Sequence, residues 1–322
     1  MADAERAPRR GTITTLTLET GEARYLTVRQ GRVAGWGSIA LPAEAVEASA
    51  VRDAPAVAEA LDCLFRKRRI ERARVVVGVG GAAAAPLGLT LPLQPAAALG
   101  EAVREAAARL LPVPLAEHYL SWQVVDGQPA AERRREAAGR PTLRVYALAV
   151  PRALIDGYLE ALRLARVRPA VMDLKGLAVV RVARPAQGIV AHLGRDYVDI
   201  ALVVQRMPVA VDTVALAVGH PGDVAPEADG ATTAWRARLD ALLAASERLA
   251  DEYCRAHPQA PLSPDAPLIA SGQALASPEA LEHLAARSGR PVARPTSPLP
   301  FPGELPLERY IVHLGLALKR DA

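Results

Sequence analysis

Two stretches of the chain share one pattern of apolar residues. Residues 188–213 consist of two runs rich in Val, Ile and Leu that are joined at Gly194, and residues 12–38 repeat this pattern more faintly around Gly21. Apolar, β-branched runs that are broken by a turn glycine predict β-hairpins. Because a pattern that recurs within one chain is typical of a duplicated unit, the sequence predicts two related α/β halves, each of which begins with a hairpin.

The segment after the first hairpin alternates between helical and strand patterns. Apolar residues three and four positions apart predict an amphipathic helix over residues 51–69, and residues 74–79 form an apolar run typical of a buried strand. The glycines that follow, Gly78, Gly80 and Gly81, are similar to the beginning of a dinucleotide-binding fingerprint. That fingerprint requires a helix directly after it, whereas Pro86 and a strand-like run follow here. The sequence therefore argues against a Rossmann-type site.

The remaining elements are predicted from the same periodicities. Residues 87–150 are interpreted as an inserted α+β module with a strand, a helix over 96–111, a proline-rich turn, a strand over 118–125, a polar loop over 126–141 and a strand over 142–150. Further elements are predicted as a helix from residue 152, a strand over 167–174, a helix over 177–182, a loop over 219–230, a long helix over 232–257, a strand ending at 271, and helices over 278–288 and 307–318.

Composition limits the classes of function. A chain of 322 residues with 51% apolar residues is long enough for roughly two domains. The net charge is only +4 and aromatics make up 4%, so the interleaved basic and aromatic residues of single-strand nucleic-acid binders are missing. The basic run at residues 66–69 is interpreted as the positively charged end of a helix, with an acidic lipid or protein contact as the alternative. No apolar run has the length of a membrane span or a secretory signal, so we expect a cytoplasmic protein.

The order of these landmarks resembles the actin-like ATPase fold and, within it, the PilM family of type IV pilus assembly proteins, which is related to the cell-division protein FtsA. The matching segments are Glu19-Thr20-Gly21 and His192-Leu193-Gly194 for the two phosphate turns, Leu111-Pro112-Val113-Pro114 for a turn of the insert, Val171-Met172-Asp173-Leu174 for the return to the first domain, and residues 313–318 for the last helix. The resemblance implies an α/β, ribonuclease H-like duplicated, two-domain fold with an inserted small α+β subdomain. Because only the loop over 219–230 precedes the long helix, the fourth subdomain is expected to be reduced or absent.

This fold implies six segments. The expected boundaries are a disordered start over 1–10, the first part of the first actin-like domain over 11–86, the inserted subdomain over 87–150, the return of the first domain over 151–187, the second actin-like domain over 188–306, and a closing helix over 307–322.

The nucleotide site that the resemblance implies departs from the family pattern. The residues at the family positions are Glu19, Gly21, His192, Gly194 and Gly272. Glu19 replaces an aspartate, His192 removes the second carboxylate and is a poor Mg²⁺ ligand, and Gly272 stands alone where the family has paired glycines. We therefore expect a vestigial cleft without catalytic residues or a metal, in which ATP binding is possible. Glu19 is interpreted as a vestige or a surface carboxylate, and His192 as a structural histidine.

Two neighbouring carboxylates are the remaining candidates for binding Mg²⁺ in the nucleotide site. Asp196 and Asp199 follow the second turn, in a strand where side chains alternate between the two faces. The interpretation that we favour is that both face solvent.

The functional expectation is a cytoplasmic, non-enzymatic scaffold of a type IV pilus or a related secretion or DNA-uptake machine. Family members bind the cytoplasmic tail of PilN, a single-span inner-membrane protein, beside the inserted subdomain. The candidate partner-binding residues here are Glu101, Leu111, Pro112, Val113, Pro114, Tyr119 and Trp122, although Trp122 also fits a core position. One alternative is an active ATPase or phosphotransferase that binds Mg-ATP in the interdomain cleft, with Glu19 orienting the metal. Another is an FtsA-like filament protein, but the last segment has too small a basic face for a membrane-binding helix.

Overall fold

The computed structural model describes residues 11–125, 142–216 and 228–319, with side chains from residue 235 in the last range. The predicted disordered start over 1–10, the predicted loop over 126–141 and most of the predicted loop over 219–230 lie outside the described residues.

The described residues form fifteen strands and seven α-helices. The strands are β1 (Thr12–Glu19), β2 (Glu22–Arg29), β3 (Arg32–Ala40), β4 (Val46–Glu47), β5 (Ala50–Val51), β6 (Val75–Val79), β7 (Ala85–Pro92), β8 (His118–Val124), β9 (Thr142–Pro151), β10 (Pro169–Leu174), β11 (Gly188–Leu193), β12 (Tyr197–Val204), β13 (Met207–Ala215), β14 (Leu268–Ser271) and β15 (Val292–Ala293). The helices are α1 (Ala54–Arg68), α2 (Ala96–Leu110), α3 (Arg152–Leu164), α4 (Lys175–Ala183), α5 (Ala228–Ala256), α6 (Pro278–Arg287) and α7 (Leu307–Ala317).

Two five-stranded sheets repeat one topology. In the first, an antiparallel meander of β1, β2 and β3 continues through the parallel strands β6 and β10, in the order β10-β6-β1-β2-β3. In the second, the meander of β11, β12 and β13 continues through β14 and β15, in the order β13-β12-β11-β14-β15. The duplication that the two hairpin patterns predicted is therefore present in the strand order.

The inserted subdomain is a three-stranded antiparallel sheet with one helix. The order is β7-β9-β8, and α2 covers one face through Leu99, Val103 and Ala106, which pack on Val145 and Ala147 of β9. Side chains alternate across a strand, so the neighbouring residues of β9 point to the opposite face. That face lies towards the body of the protein and is the site of a groove described below.

Helix α7 lies between the two sheets. Its buried residues pack together with apolar residues of both domains, among them Leu26 of β2 and Val190 of β11. The two ring nitrogens of His313 lie 2.9 and 3.1 Å from the Oγ1 atoms of Thr15 and Thr17 on β1, and burial lowers the pKa of this imidazole to about 3. The closing helix therefore holds the two domains together as part of the core.

The predicted long helix begins earlier than its apolar periodicity indicated. α5 starts at Ala228, so the last residues of the predicted loop are helical. Ala228 and Ala231 lie in these first turns, and alanine has the highest helix propensity. Because the prediction used only the spacing of apolar residues, it did not take this propensity into account. β13 ends at Ala215, so twelve residues, 216–227, separate it from α5. Among the described residues, no helix combines the length and apolarity needed to cross a bilayer.

Candidate functional site

The two predicted phosphate turns face each other at the junction of the domains. One turn joins β1 to β2 and contains Gly21 with φ of +76°, and the other joins β11 to β12. The Thr20 hydroxyl donates to Asp196 Oδ2 at 2.6 Å, and the Ala48 amide donates to the same oxygen at 3.1 Å. The turns are thus hydrogen-bonded to each other across the cleft.

A buried lysine occupies the space behind the turns. Lys175, the first residue of α4, has no exposed surface. Its ammonium has three N–H donors and four acceptors within reach, namely Glu19 Oε1 at 3.0 Å, Ser49 Oγ at 2.7 Å, the Tyr197 hydroxyl at 2.9 Å and the Leu18 carbonyl at 3.2 Å. The Tyr197 hydroxyl in turn donates to Glu19 Oε2. Lys175, Glu19 and Tyr197, called the buried triad below, form a closed set of charge-assisted bonds.

The buried triad corrects one prediction about Glu19. The expectation that this residue is a surface carboxylate is wrong, because Glu19 is 2% exposed and ion-paired with Lys175. Burial by itself would raise the pKa of Glu19, but the charges of Lys175 and Arg24 and the hydrogen bonds from Tyr197 and Lys175 lower it to about 2. Both oxygens of this charged carboxylate are engaged within the protein.

The aromatic ring of Tyr197 fills the space beside the second turn. Tyr197 is the first residue of β12, and its ring lies so close to Gly194 that a Cβ at that position would overlap it. The Gly194 carbonyl accepts a hydrogen bond of 2.6 Å from Arg238 Nη2. The predicted glycine of the second phosphate turn is therefore packed against a protein side chain.

His192 and Gly272 contribute to the packing of the second domain. His192 is 3% exposed, and its Nδ1 lies 3.0 Å from Ser271 Oγ. Burial lowers the pKa of His192 to about 3, so the imidazole is neutral at physiological pH. Gly272 has φ of +131°, and a Cβ there would overlap the Leu193 carbonyl oxygen. This glycine permits a close approach of two strand ends.

The solvent-facing positions expected for Asp196 and Asp199 are wrong. Asp196 accepts hydrogen bonds from the Thr20 hydroxyl and the Ala48 amide, and Asp199 is 1% exposed. Strand β12 lies inside the sheet with helices on both faces, so almost all of its side chains are buried and alternation does not expose either face. Asp199 accepts a bond from Thr213 Oγ1, which accepts one of 2.6 Å from the Gly81 amide. Burial raises the pKa of Asp199 to about 7, although the charge of Lys175 opposes this shift.

A groove lies between the uncovered face of the inserted sheet and the body of the protein. Its volume is about 440 Å³. Residues that line it include Tyr119, Ser121, Tyr146, Leu148, Met172 and Met207. The Tyr146 hydroxyl is buried in the groove wall without a hydrogen-bond partner among the described residues. The groove is a mainly apolar recess.

The groove receives only part of the predicted partner-binding set. Tyr119 lines it, is 38% exposed, donates a hydrogen bond to Asp156 at 2.8 Å and lies under the Arg152 guanidinium. Trp122 also borders the groove, but its indole packs with the α2 cluster, 3.7 Å from a Cβ built on Gly100.

The other predicted residues lie on or beyond α2. Glu101 is exposed on that helix, and Leu111 is buried against Ala107 and Ala149. Pro112, Val113 and Pro114 form the turn that leads to β8. None of these five residues lines the groove.

Sequence reasoning missed two members of the buried triad. A signal for Lys175 was available, since it is one of three lysines in a chain with 39 Lys and Arg residues and it begins a mainly apolar helix directly after an apolar run. A lone cation in such a position predicts a buried countercharge. Tyr197 gave no comparable signal, because its role depends on contacts across the two domains.

Comparisons with solved structures agree with this fold. The chain matches no protein-family model and no curated protein. It is similar to a chain of the PilM-PilN type IV pilus biogenesis complex, with 21% identity over 96% of this chain and 98% of that chain and a TM-score of 0.67. It is also similar to the ethanolamine utilization protein EutJ from Carboxydothermus hydrogenoformans, with 12% identity over 97% and 91% of the two chains and a TM-score of 0.54. The predicted PilM-like, actin-like fold is confirmed.

Proposed function

We propose that the protein is a non-catalytic scaffold of a type IV pilus or a related secretion or DNA-uptake machine. It holds the cytoplasmic tail of a PilN-like single-span protein in the groove between the inserted subdomain and the body. It works in the cytoplasm at the inner face of the inner membrane, and it binds no nucleic acid. The observation that carries the proposal is the combination of a cleft filled by the buried triad with an open groove beside it.

The chemistry of the cleft supports a role without nucleotide hydrolysis. Phosphoryl transfer in this fold depends on positioned carboxylates, Mg²⁺ and backbone amides around the phosphates. Both Glu19 oxygens are bonded to Lys175 and Tyr197, and His192 is neutral and bonded to Ser271. Neither side chain offers a free anionic ligand, and Mg²⁺ prefers anionic oxygens and water.

The chemistry of the groove supports an extended peptide as its occupant. Leu148, Met172 and Met207 provide an apolar floor, and methionine adapts its shape to different partners. The exposed Ser121 hydroxyl lines the groove and can donate to a backbone carbonyl of a bound segment. Apolar pockets combined with hydrogen bonds to the main chain are a common way to recognise extended peptides.

A steric block tests the groove. Ser121 and Val124 are both exposed on β8, but Ser121 lines the groove and Val124 does not. We expect Ser121→Trp to weaken binding of a fluorescent peptide from the tail of a PilN-like protein of the same organism by at least about tenfold, measured by fluorescence anisotropy. The matched control Val124→Trp should bind like the wild type. Equal effects of the two substitutions, or no binding by the unaltered protein, would contradict the proposal.

Ligand-induced stabilisation tests the cleft. A ligand that binds only the folded chain raises its stability by about 2.7 kcal/mol at roughly 100 times the dissociation constant. We expect no change in melting temperature with saturating Mg-ATP. A clear increase would favour the alternative, an ATPase or phosphotransferase on this fold.

A further inference from the structure

The positive charge of the chain is concentrated at one end of the first domain. This surface, called the basic end below, comprises the last turn of α1, the connection from α1 to β6, the last turn of α3 and the connection from α3 to β10. Its cations are Arg66, Lys67, Arg68, Arg69, Arg72, Arg74, Arg163, Arg166 and Arg168, and its carboxylates are Asp62, Glu71 and Glu160. Nine cations against three carboxylates give +6, whereas the whole chain has +4. All other residues together are therefore slightly acidic.

Hydrogen bonds join the two connections into one surface. Arg72 donates to the Ala165 carbonyl and, through Nη2, to Asp62 Oδ1 at 2.7 Å. The Arg168 amide donates to the Arg72 carbonyl at 2.7 Å. The positive charge of Arg166 also contributes to the lowered pKa of Asp62, after the hydrogen bond from Arg72. Cations that are far apart in the sequence are therefore neighbours.

The basic end lies away from the cleft and the groove. It is built at the amino-terminal ends of the parallel strands β6 and β10. The opposite ends of these strands, at Gly81 and Leu174, reach the cleft and the groove. None of the nine cations lines the groove, so the surface is separate from the site of the proposed function.

Leucine side chains are exposed beside the cations. Leu159 and Leu164 of α3 are 38% and 41% exposed, and Leu164 lies between Arg163 and Arg166 in the sequence. Lys67, Arg68, Arg166 and Arg168 are exposed as well. An apolar side chain among exposed cations matches the interface of a membrane, where headgroups carry negative charge and the acyl region accepts apolar groups.

We propose that the basic end binds the anionic surface of a lipid bilayer and inserts Leu164 into it. A nucleic acid would offer the same phosphates, but binding to its single strands relies on aromatic stacking, and the aromatic residues of this region, Phe65 and Tyr158, are buried. An acidic protein partner fits less well, because the anchors of protein interfaces lie in well-packed, desolvated pockets, whereas Lys67, Arg68, Arg166 and Arg168 are exposed. Exposed leucines on a surface of net positive charge favour the bilayer.

This contact would place the groove close to the membrane, a consequence that rests on the proposed function. Helix α3 runs from the groove, where Ile155 lies, to the basic end at Leu164. A helix of this length spans about 20 Å at 1.5 Å per residue. A short cytoplasmic tail could therefore reach the groove of a protein that lies on the bilayer.

Vesicle sedimentation tests the lipid contact directly. The probes are vesicles of phosphatidylcholine alone and vesicles that also contain phosphatidylglycerol, at low and high salt. We expect binding only to the anionic vesicles and its loss at high salt. The variant Lys67→Gln, Arg68→Gln, Arg168→Gln should bind about 100-fold more weakly, since each basic residue near an anionic surface contributes about fivefold.

A matched variant with the same change in net charge is the control. Arg32, Arg104 and Arg109 are exposed elsewhere on the chain, and their replacement by Gln should leave vesicle binding within about twofold of the wild type. Leu164→Gln should weaken binding severalfold without changing its salt dependence. Urea unfolding of each variant shows whether the fold is retained.

Several results would overturn the proposal. These are no binding to anionic vesicles, equal binding to neutral vesicles, an equal loss in the control variant, or tighter binding to a DNA duplex than to vesicles at equal phosphate concentration. Each result separates lipid binding from tail binding, because the peptide assay in the groove contains no lipid.

Discussion

Replacing Lys175 by methionine would leave the Glu19 carboxylate buried without its countercharge. The two side chains are 0% and 3% exposed, so water cannot take the place of the ammonium. The substitution removes the bonds from Nζ to Glu19, Ser49 and Tyr197. Methionine has a similar length and no charge, so the loss is mainly electrostatic.

The structure sets the expected size of this effect. Breaking a buried ion pair by removing one partner costs about 3 to 5 kcal/mol. The pKa of Glu19 gives a second estimate, because a value of about 2 in the folded chain against an ordinary value of 4.5 corresponds to about 3 kcal/mol. A lowered carboxyl pKa contributes stability that is present above pH 4.5 and is lost as the pH falls towards 2. We therefore expect Lys175→Met to destabilise the protein by about 4 kcal/mol at neutral pH and by less in acid.

A double-mutant cycle measured by urea unfolding isolates this interaction. Lys175→Met and Glu19→Gln each leave one unpaired partner, whereas the double variant removes both charges. The double variant should be more stable than the sum of the single effects predicts, by at least about 2 kcal/mol. Lys319→Met is the control, since Lys319 is 25% exposed and lies 3.4 Å from Asp173; it should cost less than about 1 kcal/mol. Additive single effects, or a cost for Lys175→Met no larger than for the control, would refute the reasoning.

Three further substitutions test other parts of the core. Gly315→Ala should lower the free energy of unfolding in urea by several kcal/mol, because its Cβ would overlap the Ala178 carbonyl where α7 meets α4. Gly35→Ala is the control, since there is open space around Gly35, and it should change this free energy by less than about 1 kcal/mol. The pKa of His313 is about 3, below its ordinary value of 6.5, so the contribution of the neutral imidazole to the free energy of unfolding is present above pH 6.5 and is lost as the pH falls towards 3. The slope of the free energy of unfolding against pH between these values should therefore be smaller in His313→Gln by about 1.4 kcal/mol per pH unit. An unchanged slope would contradict this expectation. The pKa of Asp199 is about 7, above its ordinary value of 3.8, so the buried carboxyl lowers the free energy of unfolding as the pH rises from 3.8 to 7. The change in the free energy of unfolding caused by Asp199→Asn should therefore be more favourable at pH 8 than at pH 4, by up to about 4 kcal/mol. The opposite order would show that the pKa of Asp199 is not raised.

Local patterns predicted most of the secondary-structure elements. The turn glycines Gly21 and Gly194 and the apolar runs around them located both hairpins, and the helical spacing of residues 51–69 located α1. These features depend on neighbours within a few residues, so a single sequence contains them. The arrangement of these elements was expected from their resemblance to the PilM family of actin-like proteins, and not from the patterns themselves.

The contents of the cleft depend on contacts that local patterns do not encode. Glu19 and Tyr197 are far apart in the sequence and meet only when the two sheets pack together. Asp199 was expected to face solvent because an isolated strand has two faces, but β12 is covered on both. The predicted partner-binding residues also lie in different places. The packing of the inserted sheet determines that Tyr119 faces the groove while the indole of Trp122 packs with α2.

The filled cleft and the groove are parts of one arrangement. Met207 and Pro208 belong to the second domain, Met172 belongs to the first, and Tyr119 belongs to the insert, yet all four line the groove. The shape of the groove therefore depends on the angle between the domains. That angle is held by bonds across the cleft, from Lys175 to Tyr197, from Thr20 to Asp196 and from the Gly81 amide to Thr213. Opening the cleft would break these hydrogen bonds and the bond from the Tyr197 hydroxyl to the Glu19 carboxylate, and a hydrogen bond to a charged group contributes about 1.5 to 3 kcal/mol. The triad thus stabilises one shape of the groove, and a site that is already formed binds its ligand with a smaller loss of entropy.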